Sequence, residues 1–277
     1  MSKGVAVIGC GNIGRAIIHA VNIGAVSNAE IKGIVDTNSN AIKYFSSSLS
    51  LNKTFLSCED FFGSPLINET DIVVESATQK VVLEFGKRII ESKKDLMVMS
   101  VGAFSQGSFF SELVDTARSH NSRLILPSGA ISGIDAIRCA REGIKSVSII
   151  TTKNPKSLNG APFFKNSNIR LEEIKSRTIL YDGNARDVIP EFPSNVNVAL
   201  TLALAGIGLE KTKVKVIADP DISVNQHKII AKGDFGEIRV LLRNNPSRLN
   251  PRTSALAVLS AIECLRNYCD DVLRIGS

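Results

Sequence analysis

The chain has 277 residues, 44% of them hydrophobic and 22% charged, with a formal net charge of +6. Those fractions are ordinary for a globular protein, and no apolar run approaches the roughly 18 residues needed to cross a bilayer. Lys and Arg are spread along the whole length without an aromatic-interleaved basic stripe, and there is no Trp, which argues against nucleic-acid recognition.

In chain order, the apolar run Val5 to Ile8 breaks directly into Gly9-Cys10-Gly11-Asn12-Ile13-Gly14. That run is far too short for a secretory leader, so a cytoplasmic protein with no membrane contact is expected. The glycine spacing GxGxxG falls where a strand turns into a helix. Gly9 permits the tight turn, Gly11 lets the backbone approach a pyrophosphate, and Gly14 lets the helix pack close to the strand. The backbone of Asn12 and Ile13 then opens the helix whose positive end favours phosphate. Ile13, Ala16, Ile17 and Val21 give that helix an apolar side, and it is expected to end near Gly24. The next apolar run, Ile31 to Val35, ends at Asp36, roughly 20 residues beyond the glycines, where an acid accepts the adenine-ribose hydroxyls of NAD. No Arg follows in Thr37-Asn38-Ser39-Asn40, so NAD is expected as cofactor, with some NADP use.

Further strands are expected at Ile72 to Val74, Leu96 to Met99 and Arg123 to Leu126, with amphipathic crossover helices at Gln79 to Ser92 and Ser108 to Ser119. Such alternation predicts βαβ units and a parallel sheet. The fold class is therefore α/β, a doubly wound Rossmann sheet over residues 1–125. Loops rich in small residues follow three of the strands: Glu75-Ser76-Ala77-Thr78, Ser100-Val101-Gly102-Ala103, and Ser128-Gly129-Ala130-Ile131-Ser132-Gly133. Ligands bind at such strand ends, and Ala77 is a candidate for close approach by a flat ring.

Beyond Pro127 the pattern changes. Lys145 to Thr152, Thr178 to Tyr181, Val214 to Ala218, Lys228 to Ala231 and Glu237 to Leu242 read as strands, with an apolar helix at about Val196 to Ala205. Residues 126–250 are thus expected to form a second, α+β substrate domain with an open sheet. The final helical pattern, Thr253 to Asn267, is capped by Thr253 or Ser254 and is expected to pack back on the first domain. The five cysteines, Cys10, Cys58, Cys139, Cys264 and Cys269, are scattered, so neither a disulfide framework nor a metal cluster is indicated.

Only three histidines are available as a base near neutral pH. His19 falls within the first crossover helix and His120 ends another. His227 follows Ala218-Asp219-Pro220-Asp221-Ile222-Ser223-Val224-Asn225-Gln226, read as a polar loop entering a strand. On the residues alone, a satisfied or exposed histidine is the commoner case. Lys153 and Lys156 read as a loop after a strand, and Arg243 and Arg252 flank another. Each alone is more often a solvated cation than an anion anchor.

Taken together, Gly9 to Gly14, Pro127-Ser128-Gly129-Ala130-Ile131-Ser132-Gly133-Ile134-Asp135-Ala136, Thr152-Lys153-Asn154-Pro155, Phe192-Pro193-Ser194-Asn195-Val196-Asn197-Val198-Ala199, Ala218-Asp219-Pro220, Asn225-Gln226-His227 and Asn250-Pro251-Arg252-Thr253-Ser254 carry a resemblance. The chain resembles the L-aspartate dehydrogenase family over nearly its whole length. The resemblance implies an NAD(P)-dependent Rossmann domain joined to a substrate domain, in a homodimer. It implies oxidation of a small dicarboxylic amino acid, L-aspartate, to iminoaspartate, with a link to NAD biosynthesis. The family's catalytic histidine falls on His227, and its cofactor contacts fall on Ala130 and Asn197. Lys153, Asn195 and Asn225 are the candidate substrate contacts. Leu200 departs from a usual alanine and Asn154 from a common proline, and the latter leaves the shape of the Lys153 loop open. Two rivals stand beside this reading: a related enzyme of the homoserine dehydrogenase or dihydrodipicolinate reductase kind, and a non-catalytic NAD(H)-sensing protein.

Overall fold

A computed structural model describes residues 2–43, 45, 53–193, 197–247, 253–270, 272–273 and 275. The chain forms two compact units, one of Met1–Pro127 with Val258–Arg274 and the other of Ser128–Ala257 with Ile275–Ser277.

The first unit runs β1 (Lys3–Ile8), α1 (Asn12–Asn22), β2 (Ala29–Val35), α2 (Ser39–Lys43), β3 (Thr54–Phe55), α3 (Cys58–Gly63), β4 (Ile72–Glu75), α4 (Gln79–Glu91), β5 (Asp95–Val98), α5 (Phe109–His120) and β6 (Leu124–Ile125). Its six strands are all parallel, in the order β3-β2-β1-β4-β5-β6. This is the doubly wound order, and the strand sequence reverses direction beside β1, between it and β4. Val5, Ala6, Val7, Ile72, Val73 and Val74 are all fully buried. A parallel sheet covered on both faces needs such continuous apolar runs. Helix α4 starts where the Thr78 hydroxyl accepts from Val81 N, and α5 stops at Asn121 in a left-handed conformation. Both are ordinary helix-end devices.

The second unit runs α6 (Ile134–Ala140), β7 (Ile144–Lys153), α7 (Phe163–Asn166), β8 (Thr178–Asn184), α8 (Val188–Glu191), α9 (Asn197–Ala205), β9 (Thr212–Ala218), β10 (Asn225–Gly233) and β11 (Gly236–Asn244). Its open sheet has the order β11-β10-β7-β9-β8. Only β7 and β9 are parallel; the other neighbours are antiparallel. Helix α9 is apolar apart from Asn197 and Thr201, and Ala199, Leu200, Thr201, Leu202 and Ala203 are all buried. A helix that is apolar all round belongs in a core. The last helix, α10 (Ala255–Cys269), begins directly after Ser254, and its Ala261, Leu265 and Cys269 sit in the core of the first unit.

Two strand boundaries correct the sequence reading, and both concern chemistry. Strand β10 begins at Asn225, so His227 lies inside a strand rather than in the loop before it. Strand β7 runs to Lys153, which pairs with Ala218 and is buried rather than lying in a solvated loop. In both places polar residues suggest a loop locally, yet cross-strand pairing extends the ladder. The two-residue strand β3 is not legible in the sequence, because two residues carry no periodicity. Among the described residues, no helix is long and apolar enough to cross a membrane.

Candidate active site

The glycine turn is built as tightly as its sequence suggests. Gly9 has φ +96°, and a Cβ there would lie 2.7 Å from Ala77 N. A Cβ on Gly14 would stand 1.9 Å from the Gly9 carbonyl oxygen, so α1 packs directly on the turn. Gly11 is different: it caps α1, and a Cβ there would meet nothing within 4 Å. The backbone is therefore bare where the first turn, Asn12-Ile13-Gly14, presents the positive end of the helix. That is the cradle a diphosphate needs, and a side chain would fill it.

Asp36 stands beside this cradle. Its Oδ2 accepts from Cys10 N at 2.6 Å and its Oδ1 from Asn38 N at 2.8 Å. Each carboxylate oxygen has a second lone pair for a ribose hydroxyl. The Cys10 thiol is pushed up to about 12, by burial first and by the Asp36 carboxylate second. It stays a thiol at neutral pH, with no nucleophilic role. The residues fit an adenine dinucleotide.

Glu75, the last residue of β4, is a site residue that sequence reasoning passed over. It is buried at 1% exposure, and its carboxylate joins two loops at the C-terminal edge of the sheet. Oε1 accepts from Ala77 N at 2.8 Å and from Ser100 Oγ at 2.8 Å, while Oε2 accepts from Ser100 N at 3.0 Å. Burial raises its pKa, and the bonds from Ser100 and Ala77 oppose that rise. Ser76 completes the tie by donating to the Gly9 carbonyl at 2.9 Å. A carboxylate thus sets where Ala77 and the Ser100 loop lie relative to the glycine turn.

In the second unit, a polar cluster lies on the buried face of the sheet, beside Ile149, Val216 and Ile229. In the β7–β10 register, His227 lies directly opposite Thr151, and Lys153 follows on the same face two residues on. Thr151, Lys153 and His227 are 3%, 6% and 2% exposed. Thr151 Oγ1 lies 3.0 Å from His227 Nδ1. The imidazole pKa is lowered to about 3, first by burial and second by the Lys153 ammonium. Burial also brings Lys153 down to about 8. The ring is therefore neutral at physiological pH, beside a cation that anions would neutralise.

The remaining sequence candidates fall around this cluster or elsewhere in their units. Asn225 is buried on β10, two residues before His227, opposite Asn244 on β11. The Asn244 side chain donates to the Ala130 carbonyl at 2.7 Å, which anchors the Ala130 turn to the sheet. Asn197 opens α9, where its carbonyl accepts from Thr201 Oγ1. Asn195 and Arg252 lie outside the described residues. Of the other histidines, His19 is exposed, and His120 bonds the Thr116 carbonyl within its own helix. Asn154 answers the question its sequence raised. Its amide donates to the carbonyls of Pro220 and Ile222, and its Oδ1 accepts from Lys156 N. It pins the turn after Lys153 to the loop after Ala218.

A polar cavity of about 280 Å³ lies at the opposite edge of the first unit's sheet, lined by Lys3, Asp71, Asp95, Arg123 and Tyr268 among others. Its carboxylates are engaged structurally: Asp71 accepts from Gly4 N, and Asp95 from Arg123 N and Nε. It adds nothing to the chemistry.

Residues 135–268 match the family model described as aspartate dehydrogenase, C-terminal, and residues 9–127 match that described as homoserine dehydrogenase, NAD binding domain. The chain is 40% identical over 275 residues to L-aspartate dehydrogenase of Nitrosopumilus maritimus, covering 99% of this chain and 100% of that one. It is 39% identical over 275 residues to L-aspartate dehydrogenase of Methanosarcina acetivorans, covering 99% of each. The crystal structure of aspartate dehydrogenase from Thermotoga maritima superposes with a TM-score of 0.75 at 27% identity, covering 99% of this chain and 100% of that one. On full-length similarity in both sequence and fold, the chain belongs to the L-aspartate dehydrogenase family.

Proposed function

We propose that this chain oxidises L-aspartate to iminoaspartate with NAD(P), using His227 as the base. The observation that carries the proposal is the buried, neutral imidazole of His227 beside the buried ammonium of Lys153. The first unit serves as the dinucleotide-binding domain, through Gly9, Gly11, Asn12, Ile13, Gly14, Asp36 and Ala77. Ala130 and Asn197 are further cofactor contacts, carried over from the family motif. The second unit serves as the substrate domain.

L-Aspartate arrives with two carboxylates and an ammonium. Lys153 is the cation for one carboxylate, and a charge-assisted bond there also relieves the cost of burying its ammonium. Asn225 supplies an amide on the same face, and Asn195 is the further substrate contact proposed from the sequence. His227 accepts a proton from the substrate ammonium at Nε2; the N–H bond breaks and an imidazolium N–H forms. The freed nitrogen lone pair then forms the C=N bond as the Cα–H electron pair leaves as hydride. NAD(P), when bound, supplies the acceptor for that hydride. The substrate carboxylates offset the Lys153 charge, so the imidazolium forms more readily in the complex than the free protein's low pKa implies. Hydrolysis of iminoaspartate yields oxaloacetate and ammonia, and in the reductive direction His227 returns the proton.

The homoserine dehydrogenase alternative shares only the first unit, and the match over residues 135–268 favours the amine substrate. The family resemblance supports a cytoplasmic homodimer whose product enters pyridine nucleotide biosynthesis. The test is a spectrophotometric scan of L-amino acids and homoserine with NAD at mildly alkaline pH, on wild type and His227→Ala. Aspartate should be the substrate, and the variant should lose at least about 100-fold in kcat while keeping its NADH affinity. Turnover of homoserine alone would overturn the substrate, and undiminished turnover by the variant would overturn the base.

A further inference from the structure

We propose that Thr151 is a positioning residue that holds the proton of His227 on Nδ1 and so keeps Nε2 open as the base. The proposal rests on the reading of His227 given above. Its basis is geometric. Thr151 and His227 are direct cross-strand partners in the β7–β10 ladder, and the hydroxyl lies 3.0 Å from Nδ1. Opposed residues of an antiparallel pair share a face, with Cβ atoms about 4.5–5.5 Å apart, so the register itself brings the two side chains together. A slip of one residue would turn Thr151 to the other face of the sheet. The β-branched threonine also has a restricted χ1, which holds the hydroxyl in place.

A neutral imidazole has one nitrogen that donates and one that accepts. The nitrogen facing Thr151 is Nδ1, so the other nitrogen, Nε2, must meet the substrate ammonium. If the hydroxyl donated to Nδ1, the ring proton would sit on Nε2 and the ring could not accept there. A base at Nε2 therefore requires Nδ1–H donating to the threonine oxygen. A histidine side chain in water favours the opposite tautomer, so the protein must supply a partner. Lys153, the charge that acts on the ring, is a pure donor and cannot supply it. The Thr151 oxygen is the acceptor the structure places at Nδ1.

The test joins a spectroscopic signature to kinetics. Nitrogen-15 NMR of the wild-type protein at neutral pH should show a protonated Nδ1 and an unprotonated Nε2 on His227. Thr151→Val keeps the shape and removes the acceptor. The ring should change tautomer, and kcat should fall about 10- to 100-fold, the range for losing one buried hydrogen-bond partner. KM for aspartate should stay within about threefold, because the interaction matters in the transition state rather than in ground-state binding. Thr151→Ser should restore both the tautomer and most of kcat. A wild-type His227 protonated on Nε2 would overturn the proposal without recourse to any variant. So would a Thr151→Val protein with wild-type kcat. Failure of the His227 reading is separable: His227→Ala would then keep its turnover, whatever the NMR of Thr151→Val shows.

Discussion

Replacing Lys153 with methionine should make the protein more stable and a poorer enzyme. Lys153 is buried, and burial lowers its pKa from 10.5 to about 8. A displacement of that size is about 3 kcal/mol of folding free energy lost at neutral pH, since each pKa unit is about 1.4 kcal/mol. Methionine has a similar length and no charge, and a volume-conserving swap costs less than about 1.5 kcal/mol. The expected gain at pH 7 is therefore about 2 kcal/mol. The sign of its pH dependence follows from linkage. Between the folded value near 8 and the unfolded value near 10.5, the unfolded chain binds the extra proton, so wild-type stability rises with pH across that window. The advantage of Lys153→Met should thus be full below pH 8 and should fade towards pH 10.5. Paired urea titrations at pH 7 and pH 10 read that difference. In the same variant KM for aspartate should rise about 10- to 100-fold, the scale of one charge-assisted hydrogen bond, while NADH affinity holds. A variant that is less stable at pH 7, or whose advantage does not shrink with pH, would refute the claim that a charged ammonium is held in the sheet at a cost. Unchanged KM would remove Lys153 from the substrate.

Two further outcomes test the first unit. Glu75→Gln leaves an amide oxygen for Ala77 N and Ser100 Oγ but turns an NH₂ group towards Ser100 N, where the carboxylate accepts at 3.0 Å. One buried donor facing another costs about 1–3 kcal/mol, so the two loops should shift and the NADH dissociation constant should rise about tenfold by fluorescence titration; an unchanged constant would deny the carboxylate any part in shaping the cofactor site. Asp36, held by Cys10 N and Asn38 N, would meet a 2′-phosphate with like charge, so kcat/KM with NAD should exceed that with NADP at least about tenfold, and a preference for NADP would contradict its proposed role towards the ribose.

The first unit was nearly transparent in the sequence, for a local reason. Its central strands are buried on both faces and read as unbroken apolar runs, while its helices carry their own ends, such as the Thr78 cap. The second unit obscured its most important residues because their environment is made by pairing rather than by neighbours in sequence. Asn225, Gln226 and His227 are polar and follow a Pro-containing loop, so they read as a continuation of it. In the folded chain they oppose Asn244, Arg243 and Leu242 on one side, with Gln226 and His227 also opposing Thr152 and Thr151 on the other. Lys153 is concealed in the same way, since its strand partner Ala218 is supplied from far along the chain. Glu75 reads as the start of a loop, yet its role depends on Ser100, which the β4–β5 pairing brings near.

Asn154 fixes with side-chain bonds a turn that a proline would stiffen through the backbone alone. A proline after Lys153 would stiffen the turn by fixing φ, and it would offer no donor. Asparagine leaves the backbone freer, but its amide reaches across to the carbonyls of Pro220 and Ile222, and its oxygen accepts from Lys156 N. The backbone adds Asp219 N donating to the Lys153 carbonyl at 2.9 Å, so two chain segments leave adjacent parallel strands and are tied at once. The bonds from Asn154 also couple the turn to the segment that leads into β10. Residues 219–224 therefore do more than connect strands: they are bonded to the turn that follows Lys153 and lead directly into β10, the strand that carries His227.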